Sequence, residues 1–179
     1  MKKLLPLLCA ALLSACSAYT PLRYTPNANN AAALSTLPGG INVLAFSGPP
    51  AFDDSCNGTW PVAAPDNMGF AAYVQGALVA ELKGSGKVDD KNHRVTLGGV
   101  LEKIEFTTTR SFRGGTWAIG LRLRSSNGKS LYVTEQTEFD LGLVPHDRCR
   151  QTARALRPAV ESLIGKLLAS PEFKGLVTP

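Results

Sequence analysis

The sequence WAIGLRLRSSNGKSLYV at residues 117–133 decides the fold. Apolar residues occupy every second position on both sides of a central Asn127-Gly128, which predicts two antiparallel strands joined by a tight turn. A two-residue turn would set the two apolar series on opposite faces of the sheet, whereas a three-residue turn pairs Leu123 with Leu131 on one face. We therefore predict a three-residue turn at residues 126–128, with its glycine in the left-handed conformation.

Three successive strands follow from this alternation, over residues 94–107, 116–125 and 129–141. The first strand changes face partway along, since its early apolar residues are at odd positions and its later ones at even positions. A β-bulge near Gly98-Gly99 or near Glu102-Lys103 would restore a single apolar face. The predicted core face carries Val95, Leu97, Leu101, Ile104, Phe106, Trp117, Ile119, Leu121, Leu123, Leu131, Val133, Phe139 and Leu141.

An amphipathic helix is predicted upstream of these strands. Apolar residues recur at intervals of three and four residues from Phe70 to Leu82, which gives one apolar stripe. Asp66 or Asn67 can cap the first turn of this helix, and the glycines of Gly84-Ser85-Gly86 can end it.

A longer amphipathic helix is predicted from Asp147 to residue 168, with Cys149 on its apolar face. Pro158 lies inside this pattern and is expected to kink or restart the helix, because proline removes a backbone hydrogen bond. Only a short tail is expected after Ser170-Pro171.

Residues 41–46 form a short apolar run and are predicted as a strand buried on both faces. Residues 47–66 contain four prolines and are predicted as one long loop, of a kind that is often functional or pinned in place. The predicted order is β-α-β-β-β-α. It indicates an α+β fold in which a mainly antiparallel four-stranded sheet carries two helices packed on one face and leaves the other face exposed.

The chain begins with a signal for export. A short basic start precedes an apolar run that is too short to span a bilayer, and Leu13-Ser14-Ala15 leads directly into Cys16. This segment resembles the lipobox of bacterial lipoproteins. The resemblance implies that residues 1–15 are a lipoprotein signal peptide and that Cys16 is the lipidation site, with diacylglycerol on sulfur and an acyl chain such as palmitate on nitrogen. Ser17 then implies an outer-membrane location, with the domain facing the periplasm.

Residues 16–38 are rich in Ala, Asn, Thr and Pro and are predicted as a lipidated, flexible tether. Such a tether would lift a single domain, residues 39–179, off the membrane. In the alternative, the tether packs back on the domain through Tyr19, Leu22 and Tyr24. The distance between the domain and the membrane is then shorter.

The cysteines that remain after export are Cys56 and Cys149, because Cys16 carries the lipid. In an oxidising compartment they are predicted to form a disulfide, and the alternative is two reduced, buried thiols. No metal site is expected, since His93 and His146 lack the spacing of paired metal ligands.

Net charge argues against a nucleic-acid partner. Once Lys2 and Lys3 leave with the signal peptide, 17 basic and 14 acidic side chains remain, a net charge of +3. Without a basic run, so small a bias favours no nucleic acid.

Catalytic signatures are not found in the sequence. It contains no G-x-S-x-G nucleophile elbow, and we predict no enzyme activity, no catalytic residue and no cofactor. Asp53 and Asp54 are predicted to serve turns in the long loop. Glu135 and Glu138 are predicted on different faces of their strand, each as a solvent-exposed carboxylate.

A cationic surface is predicted on the central hairpin. If the apolar residues of its first strand point to the core, Arg122 and Arg124 point outward together. Arg110 and Arg113 are expected in the loop before that strand, and Lys129 in the turn after it. These five side chains form a possible anion-binding site for phosphate groups, as in lipid A or anionic phospholipid. The alternative is an ordinary solvated strand face.

The order of elements after a lipobox is similar to that of small envelope lipoproteins such as the lipopolysaccharide-assembly lipoprotein and the TolB amino-terminal type of domain. The Cys56 and Cys149 pair and the helix from Ala153 to Leu168 resemble those of many proteobacterial envelope lipoproteins. The resemblance implies a membrane-anchored, non-catalytic binding or assembly module, whose partners are the membrane through its lipid and envelope proteins or anionic lipid. A structural or partner-stabilising lipoprotein, or an auxiliary component of an envelope transport system, is the alternative.

Overall fold

The computed structural model describes residues 18–49, 52–111 and 114–179, with residues 109–111 described by their backbone alone. Two 3₁₀ turns, Ala28–Asn30 and Pro65–Asn67, accompany the regular elements. In chain order these elements are α1 (Ala31–Ser35), β1 (Ile41–Val43), β2 (Ser55–Cys56), β3 (Trp60–Pro61), α2 (Phe70–Gly84), β4 (Val95–Ser111), β5 (Gly114–Ser125), β6 (Ser130–Asp140), α3 (Pro145–Ala169) and α4 (Pro171–Val177).

The main sheet has four strands in the order β1-β4-β5-β6, and the fold is α+β as predicted. The pairs β4-β5 and β5-β6 are antiparallel, while β1 runs parallel to β4. In the β5-β6 hairpin Leu123 pairs with Leu131 and Leu121 with Val133. Gly128 has a φ of +85° at the end of a three-residue turn. The register that parity predicts is therefore confirmed.

A β-bulge in β4 keeps the core face continuous. The pairing with β5 shifts between Leu101 and Lys103, which is the second of the two predicted positions. Leu101 and Ile104, on either side of the bulge, are both buried. β4 also extends to Ser111, so Arg110 belongs to a strand and not to a loop as predicted.

The two long helices, α2 and α3, pack against the apolar face of the sheet, where Trp117, Ile119 and Leu121 are almost fully buried. The C-terminal end of α2 is as predicted, since the helix ends at Gly84 and Gly86 is left-handed with a φ of +69°, but the predicted N-cap is wrong. Gly69 is its N-cap, and Asp66 and Asn67 precede it with positive φ in the 3₁₀ turn.

The C-terminal region differs from the prediction in two ways. α3 continues through Pro158 without a restart. The expected tail is the helix α4, which buries Phe173, Leu176 and Val177. The Asn127 side chain in the hairpin turn donates to carbonyl oxygens of α4 and its C-cap, so the turn fixes this last helix against the sheet.

β1 is shorter and more exposed than predicted, because it lies at the edge of the sheet. Ile41 is fully buried, whereas Leu44 just after the strand is 51% exposed. The prediction of a strand buried on both faces is therefore wrong.

The segment predicted as a flexible tether packs on the domain over residues 18–38. Leu34 and Leu37 are buried in the main core. Tyr19 forms a parallel bridge with Val62, directly after β3, as the alternative interpretation expects, but the Leu22 side chain stays 69% exposed.

The predicted long loop contains the small hairpin β2-β3. Asn57 and Gly58 have φ values of +53° and +67°, which is the pattern of a type I′ turn. The Asn-Gly sequence at this turn is itself a hairpin signal, and its position in a proline-rich stretch obscured it.

Candidate functional site

A disulfide joins Cys56 of β2 to Cys149 of α3, as predicted, with Cα atoms 5.6 Å apart. Both cysteines are fully buried. The Asn57 side chain donates to the Pro145 carbonyl at 3.3 Å, so the small hairpin is fixed to the first turns of α3. The predicted lipidation site, Cys16, lies outside the described residues, as does the signal peptide.

The five predicted cations are spread along the length of the central hairpin. Arg113 lies outside the described residues, and only the backbone of Arg110 is described. Ser111 pairs with the first residue of β5, whereas Arg124 is near its other end. Ten residues of strand at about 3.3 Å each separate the two ends by roughly 33 Å, too far for one anion to bridge.

Within this group, Arg122 is already paired. Its guanidinium donates to both carboxylate oxygens of Glu102, at 2.5 and 3.2 Å, and lies 4.7 Å from the centroid of the Tyr132 ring. The hydrogen bond from Arg122 lowers the pKa of Glu102 below its ordinary value. Lys129 donates to the Gly175 carbonyl at 3.3 Å, and Arg124 is exposed. The outer sheet face is thus a mixed, solvated surface.

Glu81 of α2 holds the N-terminal segment in place, a role that the sequence analysis missed. Its side chain is 2% exposed. Its Oε1 accepts hydrogen bonds from the Tyr24 hydroxyl at 2.6 Å, the Asn27 backbone N–H at 2.8 Å and the Asn30 amide at 2.9 Å. Burial, and then the bond to Glu81, raise the pKa of the Tyr24 hydroxyl well above its usual range. The sequence did contain a signal for this role, because Glu81 is a charged residue inside the apolar stripe from Phe70 to Leu82.

A second carboxylate, Glu135 of β6, is buried and not solvent-exposed as predicted. It is 6% exposed, and the Lys166 ammonium of α3 lies 2.5 Å from its Oε2. Burial raises the pKa of Glu135, but hydrogen bonds from Lys166, Thr137 and Ser162 outweigh burial and lower the pKa overall. This ion pair connects α3 to the edge strand.

Of the two aspartates before β2, Asp53 serves a turn, as predicted. Asp53 accepts hydrogen bonds from the Ser55 N–H at 3.0 Å and the Ser55 hydroxyl at 2.6 Å, and these lower the pKa of Asp53.

Among the described residues, no group of three His, Cys, Asp or Glu side chains is placed to hold a metal ion. No helix in the described part of the chain is long and apolar enough to cross a membrane.

A groove of about 620 Å³ runs between residues 18–22 and α3. Arg150, Arg154 and Arg157 line it from the helix, and Leu22 lines it from the N-terminal segment. The sequence analysis missed this cluster, although the spacing i, i+4, i+7 places the three arginines on one helix face.

β6 forms one edge of the main sheet. Within residues 18–49, 52–111 and 114–179, no strand pairs with its outer side. Its eleven residues pair with β5 without a register shift, in contrast to β4.

Comparisons with known proteins identify no family. No protein-family model and no curated protein matches this sequence. Among solved structures, the chain is similar to a hypothetical protein from Chlamydia trachomatis, at 9% identity and a TM-score of 0.47, over 78% of this chain and 98% of that one. It is also similar to a "putative lipoprotein" from Caulobacter crescentus, at 9% identity and a TM-score of 0.45, over 83% of this chain and 94% of that one.

Proposed function

We propose that this protein is a lipid-anchored lipoprotein of the outer membrane and that its domain is a non-catalytic module that binds an extended segment of an envelope protein along β6. The observation that carries the proposal is the outer edge of that eleven-residue strand, with which no strand of the described residues pairs. The non-catalytic part rests on the sequence, which contains no nucleophile elbow and no metal-spaced histidine pair.

The anchor rests on the lipobox at residues 13–16. Cys16→Ser is expected to abolish labelling by radioactive palmitate and to move the protein from the membrane fraction to the soluble fraction, since three acyl chains give a stable attachment. A variant that still sediments with membranes would contradict the anchor.

Strand addition rests on the direction of backbone groups in β6. The Ser125 N–H donates to the Lys129 carbonyl at 2.9 Å, and hydrogen-bonded pairs alternate from there along the hairpin. Even-numbered residues of β6 therefore direct their N–H and C=O groups outward, as at Thr134 and Gln136.

Native proteins usually block such edges with proline, a bulge or lysine. β6 contains none of these between Ser130 and Asp140, and its one buried charge, Glu135, is paired with Lys166 of α3. An incoming strand can therefore hydrogen-bond along the whole length of the edge, which is how β-augmentation gains its affinity.

Thr134→Pro tests this edge, because it removes one outward N–H and leaves the ladder to β5 intact. Thr134→Val is the matched control, since it changes the same side chain and keeps the N–H. A photo-crosslinking residue at Gln136 is expected to give one adduct in intact envelopes, lost in Thr134→Pro and retained in Thr134→Val. Equal adduct from both variants would rule out strand addition at β6.

A further inference from the structure

The end of the domain from which the N-terminal segment emerges combines basic and exposed apolar side chains. The first half of α3, residues 145–157, carries four arginines against one aspartate, a net charge of +3. The three most exposed large apolar side chains of the described residues are Leu143, Leu22 and Val144, at 75%, 69% and 55%. Leu22 lines the arginine groove, and the other two directly precede α3.

The arginines differ in how fully they are paired. Arg150 is paired with Asp147, and Arg157 with Glu161 at 2.7 Å. Arg154 is exposed, and no ion pair to it occurs among the described residues. The groove therefore presents at least one unneutralised guanidinium, a group that forms a bidentate pair with phosphate.

The path of the chain places this end close to the anchor. Tyr19 is fixed by two backbone hydrogen bonds at 2.9 Å, from its own N–H to the Pro61 carbonyl and from the Ala63 N–H to its carbonyl. Three residues span at most about 11 Å in any conformation. A lipid on Cys16 would therefore be attached to the chain within about 11 Å of Tyr19. The aromatic ring of His146 packs against Tyr19 with centroids 5.2 Å apart, which brings the start of α3 to the same place.

We propose that this end of the domain rests on the membrane that anchors it, with Arg150 and Arg154 on anionic phospholipid headgroups and Leu143 and Val144 at the interface. The inference rests on the proposed lipid anchor at Cys16. It replaces a domain held away from the bilayer by a flexible tether with one held against it, because interfacial apolar contact and basic side chains add to the same membrane affinity. In that orientation the domain's distance from the bilayer is set by α3 and not by linker length.

The test uses the native lipidated protein in vesicles of phosphatidylcholine with or without phosphatidylglycerol. Leu143→Cys carries a fluorescent label, and brominated lipid quenches the label only on contact. The matched control is the same label at Thr134→Cys, on the exposed edge strand. Phosphatidylglycerol is expected to increase quenching at position 143 and to leave position 134 unquenched.

Charge removal tests the role of the arginines. Arg150→Gln with Arg154→Gln is expected to lower the ratio of docked to undocked orientations about 25-fold, roughly five-fold per arginine. Arg124→Gln, which removes an exposed cation from the opposite sheet face, should change nothing. A urea midpoint equal to that of wild type in each variant shows that the domain is folded.

The possible failures are distinguishable. A protein that does not float with phosphatidylcholine vesicles has no lipid anchor, and the proposed function is then wrong. If that protein floats with vesicles that contain phosphatidylglycerol, the membrane-facing surface at α3 is still supported. If it floats with neither, that surface is overturned as well. A protein that floats with both vesicles but shows equal quenching at positions 143 and 134 overturns the docked orientation. Quenching at 143 that is the same without phosphatidylglycerol, or unchanged in the double arginine variant, overturns the anionic headgroup contact.

Discussion

Replacing Glu81 with alanine is predicted to release the N-terminal segment while leaving the sheet folded. Glu81 is the shared acceptor for Tyr24, Asn27 and Asn30, all from a part of the chain more than 50 residues away in sequence. Without the carboxylate, three donors lose their partner at once, and the Asn30 side chain remains in a site that is only 7% exposed.

The size of the effect follows from the three hydrogen bonds. A hydrogen bond to a charged group contributes about 1.5–3 kcal/mol, and three bonds that share one oxygen are not additive, so we expect a loss of about 3–5 kcal/mol for Glu81→Ala. Glu81→Gln keeps an acceptor oxygen and loses only the charge, so its loss should be about 1–2 kcal/mol. The loss in global stability cannot exceed what docking of residues 18–38 contributes.

Hydrogen exchange of individual amides measures this directly. A loss of 3 kcal/mol corresponds to exchange about 150-fold faster at the Asn27 amide and in α1, while amides in β4 and β5 keep their protection. Glu102→Ala, which removes a more exposed carboxylate on the sheet face, serves as the control and should leave residues 27–37 unchanged. Exchange in Glu81→Ala that equals the control would refute the role of this carboxylate.

Two further predictions concern the disulfide and the buried ion pair. Replacing both Cys56 and Cys149 with serine removes a bond that spans 93 residues of sequence, and in the chain-entropy model this lowers the free energy of unfolding in urea by about 4–5 kcal/mol; an unchanged urea midpoint would contradict it. The pKa of Glu135 is lowered in the fold from its ordinary 4.5, so its carboxylate stabilises the protein above that pH and the contribution is lost as pH falls through the folded value. Glu135→Gln should therefore be less stable than wild type at pH 7, with the difference closing as pH falls below 4.5 and through the lowered pKa of the folded state in pH-dependent urea titrations; a difference that persists in acid would show that the Lys166 pair is not its source.

Local pattern was enough to predict the centre of the fold. The β5-β6 register follows from parity alone, because a shift of one residue would turn every apolar side chain to the wrong face. A bulge in β4 follows from the same rule, applied to a change of parity within one strand, although only the structure decided between Gly98-Gly99 and Glu102-Lys103 as its position. The pairing of Cys56 with Cys149 follows from elimination among the cysteines, which needs no knowledge of the fold.

Local pattern failed where the outcome depended on a distant partner. Residues 18–38 have the composition of a linker, and they are ordered because Glu81 and the apolar core accept them. The C-terminal tail becomes α4 because the hairpin turn at Asn127 offers it three hydrogen bonds. In both cases the free energy that orders the segment comes from the surface on which it packs.

The candidate sites divide in the same way. The sequence by itself predicts a lipobox at residues 13–16, and it determined the apolar faces and the disulfide pair, since each depends on residue type and short-range spacing. Only the tertiary structure decided which charges meet. It separated the cations of the central hairpin along a strand and paired Arg122 with Glu102, while it brought Arg154 beside the N-terminal segment more than 130 residues away in sequence. Electrostatic contacts depend on distance in space, and a linear sequence fixes that distance only within a single helix or hairpin.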